Sequence, residues 1–152
     1  MSADAASRGP AETTARADPD AAGAPADYDV CMANILVVDD DTDIVELVSL
    51  KLRSSGHSVT AVGSGEAALD ALAARNDFDL AVVDHMMPGM TGVDLVRGLR
   101  AEGSTLRILM LTARSQERDL ENGFTAGVDD YMTKPFSPRE LAVRVTSMLA
   151  RR

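Results

Sequence analysis

Five polar residues that could handle a phosphoryl group or a metal ion follow short apolar runs in this chain. Three of them are carboxylates, Asp39, Asp40 and Asp84, and the other two are Thr112 and Lys134. Carboxylates bind hard cations such as Mg²⁺ and can form aspartyl phosphates, whereas hydroxyl and ammonium groups can bind phosphoryl oxygens. These residue types are suited to metal-assisted phosphoryl transfer, provided that the fold brings them together.

The elements that must position these residues alternate between strand and helix patterns five times from residue 33 onward. Short apolar runs separated by helical patterns are typical of buried parallel strands. The predicted strands cover about residues 34–38, 58–62, 79–83, 107–111 and 129–133. The predicted helices cover about residues 42–55, 65–75, 92–101, 116–125 and 138–150. This pattern predicts an α/β fold, a doubly wound (βα)5 unit with a five-stranded parallel sheet in the order 2-1-3-4-5.

The carboxyl ends of all strands in such a sheet lie at one edge, so the five polar residues are expected to meet there. Without a cation, the carboxylates of Asp39, Asp40 and Asp84 would repel one another. Carboxylates with room for water suit Mg²⁺. We interpret Asp41 and Asp43 as helix-capping or solvent-facing residues. The alternative is that the four carboxylates within residues 39–43 only cap the first helix. It is weaker because capping needs one or two carboxylates rather than four.

Local signals set the expected ends and faces of the helices. The first helix is expected to bury an apolar face made of Ile44, Leu47, Val48 and Leu52. Gly56 should end this helix, Ser64 should cap the second, and Pro138 should open the last. The fourth predicted helix has only Leu120 and Phe124 as clear apolar anchors. Such weak anchoring is consistent with a movable element of low stability.

Composition limits the class of protein. The 152 residues are 45% hydrophobic, which suffices for one domain with a substantial core. The net charge of -9 argues against direct contact with nucleic acid, which requires a basic surface. No apolar stretch reaches the ~18 residues of a membrane span, and no signal peptide is apparent. The single cysteine, Cys31, fits a reducing compartment. We therefore expect a cytoplasmic protein that contacts neither membrane nor nucleic acid.

The N-terminal region differs in composition from the rest of the chain. Residues 1–32 are mostly Ala, Asp, Pro, Thr, Ser and Gly, and contain no Leu, Ile or Phe. Such a segment cannot bury enough apolar surface to offset its ordering entropy, so we predict a disordered tail. Because Met32 directly precedes the first strand, translation starting at Met32 is an alternative. Detection of tail peptides in the native protein by mass spectrometry would exclude it.

Four motifs together resemble the receiver domain of bacterial two-component response regulators. They are Val38-Asp39-Asp40-Asp41, the segment from Asp84 to Gly92, Leu111-Thr112-Ala113, and the segment from Asp129 to Phe136. Each motif alone is weakly specific, but they occur in the family's order and spacing over residues 33–152. The resemblance implies the CheY-like, flavodoxin-like fold, and it is closest to receivers that are linked to winged-helix DNA-binding domains, the OmpR-type class.

The resemblance also implies a role for each acidic residue. Asp84 would be the phosphoacceptor that takes a phosphoryl group from the phosphohistidine of a sensor histidine kinase or a phosphotransfer protein. Asp39 and Asp40 would hold Mg²⁺ together with Asp84 and the backbone carbonyl of Met86. The chain would then be a phosphoacceptor that assists its own phosphorylation and dephosphorylation, rather than an enzyme.

A switch is implied as well. Thr112 and Lys134 would bind the phosphoryl oxygens, and Thr112 and Tyr131 would move together to change the surface of the fourth helix, fifth strand and fifth helix. That surface would control a partner or a homodimer, although Tyr131 could also be an ordinary amphipathic strand residue. The Lys134-Pro135 peptide bond is expected to be cis. His85 has no apparent partner, so we interpret it as a packing or surface residue rather than a ligand.

Several alternatives stay open or are disfavoured at this point. The chain could be a receiver fragment of a DNA-binding transcription factor, whose effector domain would follow Arg152. A non-phosphorylated interaction module of the same fold would be expected to lack Asp84, Lys134 or the acid pair, and none is missing. A phosphatase of the haloacid-dehalogenase type needs a second acid where Met86 stands. A flavin-binding protein of this topology would need a phosphate-cradling loop after the first strand.

Overall fold

The computed structural model of this chain describes residues 32–113 and 126–151. The strands within these ranges are β1 Asn34–Val38, β2 Ser58–Val62, β3 Leu80–Asp84, β4 Arg107–Ala113 and β5 Asp130–Lys134. The helices are α1 Thr42–Ser54, α2 Gly65–Ala74, α3 Gly92–Ala101 and α4 Pro138–Ala150, of which α4 is the fifth predicted helix. The tail over residues 1–31 and the helix predicted over 116–125 lie outside the described residues.

The five strands form one parallel sheet in the order β2-β1-β3-β4-β5, which confirms the predicted order 2-1-3-4-5 and the flavodoxin-like α/β fold. The register pairs Val38 of β1 with Val83 of β3, and Asp84 of β3 with Leu111 of β4. Because all strands run in the same direction and these ends are in register, β1, β3, β4 and β5 finish at the same edge of the sheet.

Three strands end later than predicted. β3 extends to Asp84, β4 to Ala113 and β5 to Lys134, rather than to residues 83, 111 and 133. The reason is that a strand is defined by backbone pairing, which polar residues join as readily as apolar ones. Asp84 and Lys134 are therefore the last residues of their strands, which makes their backbone positions more rigid than loop positions would be.

The core lies on both faces of the sheet, because successive side chains of each strand point to opposite sides. On one face, α1 and α4 pack against the strands through Val37, Val82, Leu109, Leu111, Val48, Leu52, Leu141, Val145 and Leu149. On the other face, α2 and α3 pack through Leu36, Val38, Val83, Ile108, Met110, Ala68, Leu95, Val96 and Leu99. Burial of both faces explains why the three central strands, β1, β3 and β4, are largely continuous apolar runs rather than alternating ones.

The predicted helix signals lie at helix ends in the structure. The Asp41 carboxylate caps α1 by accepting hydrogen bonds from the backbone N–H groups of Asp43 and Ile44. Ser64 caps α2, and Pro138 occupies the first turn of α4. Gly56 follows α1 with a φ of 101°, a conformation that favours glycine. α1 and α2 each end one residue earlier than predicted.

The prediction that Leu47 belongs to the buried face of α1 is wrong. Its side chain is 40% exposed, whereas Val48, Ser49 and Leu52 are buried and Ile44 and Val45 pack partly against the core. At 100° per residue, the centre of this buried face lies about 130° from Leu47. None of the helices over residues 32–113 and 126–151 has the length and hydrophobicity that a membrane span requires.

Candidate phosphoacceptor and metal site

Three carboxylates meet at the carboxyl edge of the sheet. One oxygen each from Asp39, Asp40 and Asp84 lies within 4.8 Å of the others. Asp39 and Asp84 are buried, at 2% and 6% exposure, and Asp40 is exposed at the rim. Hard oxygen donors beside an open rim that admits water fit a cation such as Mg²⁺, which keeps several waters when bound. The predicted acidic pocket is confirmed.

Lys134 connects two of these carboxylates. Its Nζ donates hydrogen bonds to Oδ1 of Asp84 at 2.7 Å and to Oδ2 of Asp39 at 3.2 Å. The lysine thus holds the ends of β1 and β3 from its position at the end of β5. Among the described residues, this ammonium is the cation that contacts the pocket, and it offsets one of the three negative charges.

Burial dominates the electrostatics of the pocket. It raises the pKa of Asp84, and the hydrogen bond from Lys134 only partly opposes this. It also raises the pKa of Asp39, against the hydrogen bond from the Asp41 N–H and the charge of Lys134. Burial lowers the pKa of Lys134, but the hydrogen bond and charge of Asp84, with the charge of Asp39, leave that pKa above its usual value. The hydrogen bonds and Lys134 therefore do not fully stabilise the ionised carboxylates of the pocket. A bound cation would stabilise these carboxylates further.

Thr112 is the last residue but one of β4 and follows Leu111, the register partner of Asp84; it is buried. Its hydroxyl donates to the carbonyl of Ala113 at 3.4 Å, and its Oγ1 also lies 3.4 Å from Nδ1 of His85. His85 is itself buried, at 6% exposure, which agrees with a packing role and not with a surface position. The contact between the two side chains was not anticipated. It depends on the strand register, which pairs Asp84 with Leu111 and so brings the residues that follow them, His85 and Thr112, close together.

The other predicted site features lie in the loop after β3, within β5 and at the end of β5. Met86 lies in the loop after β3 with its side chain 49% exposed, and a metal-binding role for its carbonyl remains a prediction. Tyr131 is partly buried in β5 and packs against the apolar cluster shared with α2 and α3, so its role in a switch also remains a prediction. The Lys134-Pro135 peptide bond is cis.

The start of α3 is pressed against the backbone of Asp84. The Gly92 N–H donates to the carbonyl of His85 at 2.8 Å. A Cβ at Gly92 would lie 2.3 Å from the carbonyl oxygen of Asp84. Thr91 and Asp94 form a capping box that keeps the helix start in this place. Glycine at residue 92 therefore allows α3 to approach the candidate nucleophile closely.

We predict that Gly92→Ala lowers the free energy of unfolding by about 1–3 kcal/mol, because backbone atoms at the site must shift to admit the methyl group. Gly98 provides a matched control in the same helix, since a Cβ there meets nothing within 4 Å. Gly98→Ala should raise the free energy of unfolding by about 0.5–1 kcal/mol. Urea unfolding of both variants measures the contrast. Equal effects of the two substitutions would contradict the close approach.

A family model described as "Response regulator receiver domain" matches residues 35–146, a range that contains all five polar residues. The response regulator SaeR of Staphylococcus aureus is 40% identical over 120 residues, which make up 79% of this chain and 52% of SaeR. The chain thus spans about half the length of the curated relatives it matches.

Solved structures agree with this similarity. The receiver domain of the Francisella response regulator 1452 is 37% identical with a TM-score of 0.71, covering 78% of this chain and 98% of that one. The BeF3-activated receiver domain of DrrB is 38% identical with a TM-score of 0.69, covering 79% and 99%. DrrB is an OmpR/PhoB homologue from Thermotoga maritima.

Proposed function

Because this chain belongs to the family of response regulator receiver domains, related to OmpR/PhoB-type regulators, we propose that it is a phosphorylation-dependent switch whose phosphoacceptor is Asp84. The donor is the phosphohistidine of a sensor histidine kinase or a phosphotransfer protein. The observation that carries this proposal is the pair of hydrogen bonds by which Lys134 joins Asp84 and Asp39 beside the acidic pocket. We propose that the reaction takes place in the cytoplasm.

The transfer is a substitution at phosphorus. A carboxylate oxygen of Asp84 attacks the phosphorus atom, a P–O bond forms, and the P–N bond to the donor imidazole breaks with its electron pair remaining on nitrogen. Lys134 orients the carboxylate and lies where it can bind an oxygen of the arriving phosphoryl group. Thr112 supplies a hydroxyl donor to another oxygen. The acyl phosphate that forms is the signalling state.

Asp39 and Asp40, with Asp84 and the backbone carbonyl of Met86, are the residues that would hold Mg²⁺. When bound there, the ion would neutralise charge on the phosphoryl oxygens. The support for this assignment is the donor set itself, since burial raises the pKa values of Asp39 and Asp84 despite the hydrogen bonds from Lys134. The negative charge of these buried carboxylates favours the binding of a cation in addition to Lys134.

The signal would leave the site through Thr112 and Tyr131. Thr112 precedes the predicted output surface, which consists of the helix predicted over 116–125, β5 and α4, and Tyr131 belongs to that surface as a residue of β5. In the described part of that surface, Arg144 of α4 pairs with Asp130 of β5 at 3.2 Å. We propose that phosphorylation alters this surface and thereby controls a partner protein or a homodimer.

The test is incubation of the full chain with acetyl phosphate and Mg²⁺, followed by intact-mass measurement. We expect a mass increase of one phosphoryl group that maps to the peptide containing Asp84. The adduct should not form when a chelator has removed Mg²⁺ before acetyl phosphate is added. Absence of the adduct from folded protein would overturn the proposal and favour a non-phosphorylated interaction module. An adduct that forms equally well without Mg²⁺ would refute the metal assignment.

A further inference from the structure

His85 is a buried polar residue that the phosphoryl chemistry leaves without a role. Its backbone is held on both sides: its N–H donates to the carbonyl of Leu111 at 2.8 Å, and its carbonyl accepts from the N–H of Gly92 at 2.8 Å. The residue is therefore anchored to β4 and to the start of α3. With 6% exposure, its imidazole has little space in which to change position.

The imidazole faces the hydroxyl that is expected to bind a phosphoryl oxygen. Nδ1 of His85 and Oγ1 of Thr112 are 3.4 Å apart, and the carbonyl of Ala113 is also 3.4 Å from Oγ1. Hydrogen bonds that involve hydroxyl groups are usually about 2.7–2.8 Å long, so both contacts are weak. Thr112 is thus retained by two long contacts, and a phosphoryl oxygen could recruit its hydroxyl at a small free-energy cost.

We propose that His85 is a positioning residue that retains the Thr112 side chain in its unphosphorylated orientation and thereby sets how easily the switch is activated. This inference rests on the proposed function, because the competing partner is the phosphoryl group on Asp84. When the Thr112 hydroxyl donates its one proton to the Ala113 carbonyl, Nδ1–H of His85 donates to Oγ1; in the other tautomer the hydroxyl donates to Nδ1 instead. In both cases it must break or lengthen before Thr112 binds a phosphoryl oxygen.

The thermodynamic consequence is a population shift. A contact present only in the unphosphorylated state stabilises that state, so its removal favours the activated one. Because the contact is long, its net contribution lies at the lower end for one hydrogen bond, which corresponds to about a two- to threefold change in apparent affinity for a phosphoryl mimic. The expected change is an increase in affinity for the mimic, whereas simple damage to the site would lower that affinity.

The experiment is an NMR titration of the full chain with beryllofluoride in excess Mg²⁺ at one fixed pH. His85→Leu, which lacks a hydrogen-bonding group, should bind about two- to threefold more tightly than wild type. His85→Asn, whose amide lies near the position of Nδ1, should restore the wild-type affinity. In a Thr112→Val background, His85→Leu should have no further effect, since the double-mutant cycle isolates their contact.

A second measurement does not depend on the ligand. Three-bond couplings of Thr112 in the unliganded protein report its χ1 rotamer, which should be single in wild type and His85→Asn and averaged in His85→Leu. Unchanged rotamer populations, unchanged or weaker beryllofluoride binding by His85→Leu, or an equal effect in the Thr112→Val background would each overturn the inference. Failure of wild type itself to bind beryllofluoride would instead refute the proposed function, and this inference with it.

Discussion

Asp84→Asn is expected to abolish the Mg²⁺-dependent phosphoryl adduct completely while leaving the fold intact. The amide is a poor nucleophile, so the P–O bond cannot form at this position. The amide oxygen can still accept the hydrogen bond that Lys134 donates to Oδ1 at 2.7 Å in the wild type. Intact mass after incubation with acetyl phosphate measures the loss, and circular dichroism verifies the fold.

The stability of this variant should distinguish loss of chemistry from loss of structure. Burial raises the pKa of Asp84 in the folded chain. For an acid with a raised folded-state pKa, the free energy of unfolding falls as pH rises through that pKa, because the native state resists ionisation. Near neutral pH without Mg²⁺, Asp84→Asn should therefore be at least as stable as wild type. A marked loss of stability would indicate that Asp84 is a structural residue.

Asp41→Asn is the matched control for this experiment. Asp41 is exposed, and its carboxylate caps α1 by accepting a 2.9 Å hydrogen bond from the N–H of Asp43. Asparagine caps helices about as well as aspartate, so the fold should be unaffected. Because Asp41 is not one of the three clustered carboxylates, its variant should form the adduct at the wild-type rate. Loss of the adduct in this control would contradict the assignment of roles.

Lys134→Met should slow adduct formation by about a hundredfold, because a preorganised charge that stabilises the transferring phosphoryl group is removed. The same change should not weaken Mg²⁺ binding, since it takes a positive charge out of an acidic pocket. In Mg²⁺-free buffer the free energy of unfolding should fall by about 1–3 kcal/mol, as Asp39 and Asp84 lose their shared partner. Saturating Mg²⁺ should recover most of that loss.

Calorimetric titration with Mg²⁺ and single-turnover phosphorylation separate these effects. Lys51, the other lysine of the chain, lies in the last turn of α1, away from the pocket, and Lys51→Met serves as the control. It should leave Mg²⁺ affinity and phosphorylation rate unchanged. If Lys134→Met lowered Mg²⁺ affinity as much as the transfer rate, the lysine would be organising the metal site rather than binding phosphoryl oxygens.

Much of this molecule could be predicted from residue patterns. The alternation of apolar runs with helical periodicity predicted the sheet order, because parallel strands joined by helices allow few topologies. The order in turn predicted that Asp39, Asp40 and Asp84 would meet at one edge. Helix ends at Asp41 and Ser64 were predictable because capping depends on residues close together in the chain.

Other features depend on how the elements pack. The exposure of Leu47 follows from the rotation of α1 on the sheet, which periodicity alone defines only loosely. The need for glycine at residue 92 arises because α3 approaches the Asp84 carbonyl, and the contact between His85 and Thr112 arises because β3 and β4 lie in register.

The amino-acid sequence by itself thus determined the fold class and the chemical types that gather at the sheet edge, because local patterns and strand order suffice for both. Only the tertiary structure decided which atoms touch: Lys134 between two carboxylates, and His85 against Thr112. Distances of this kind depend on register and helix placement, which result from packing of the whole core.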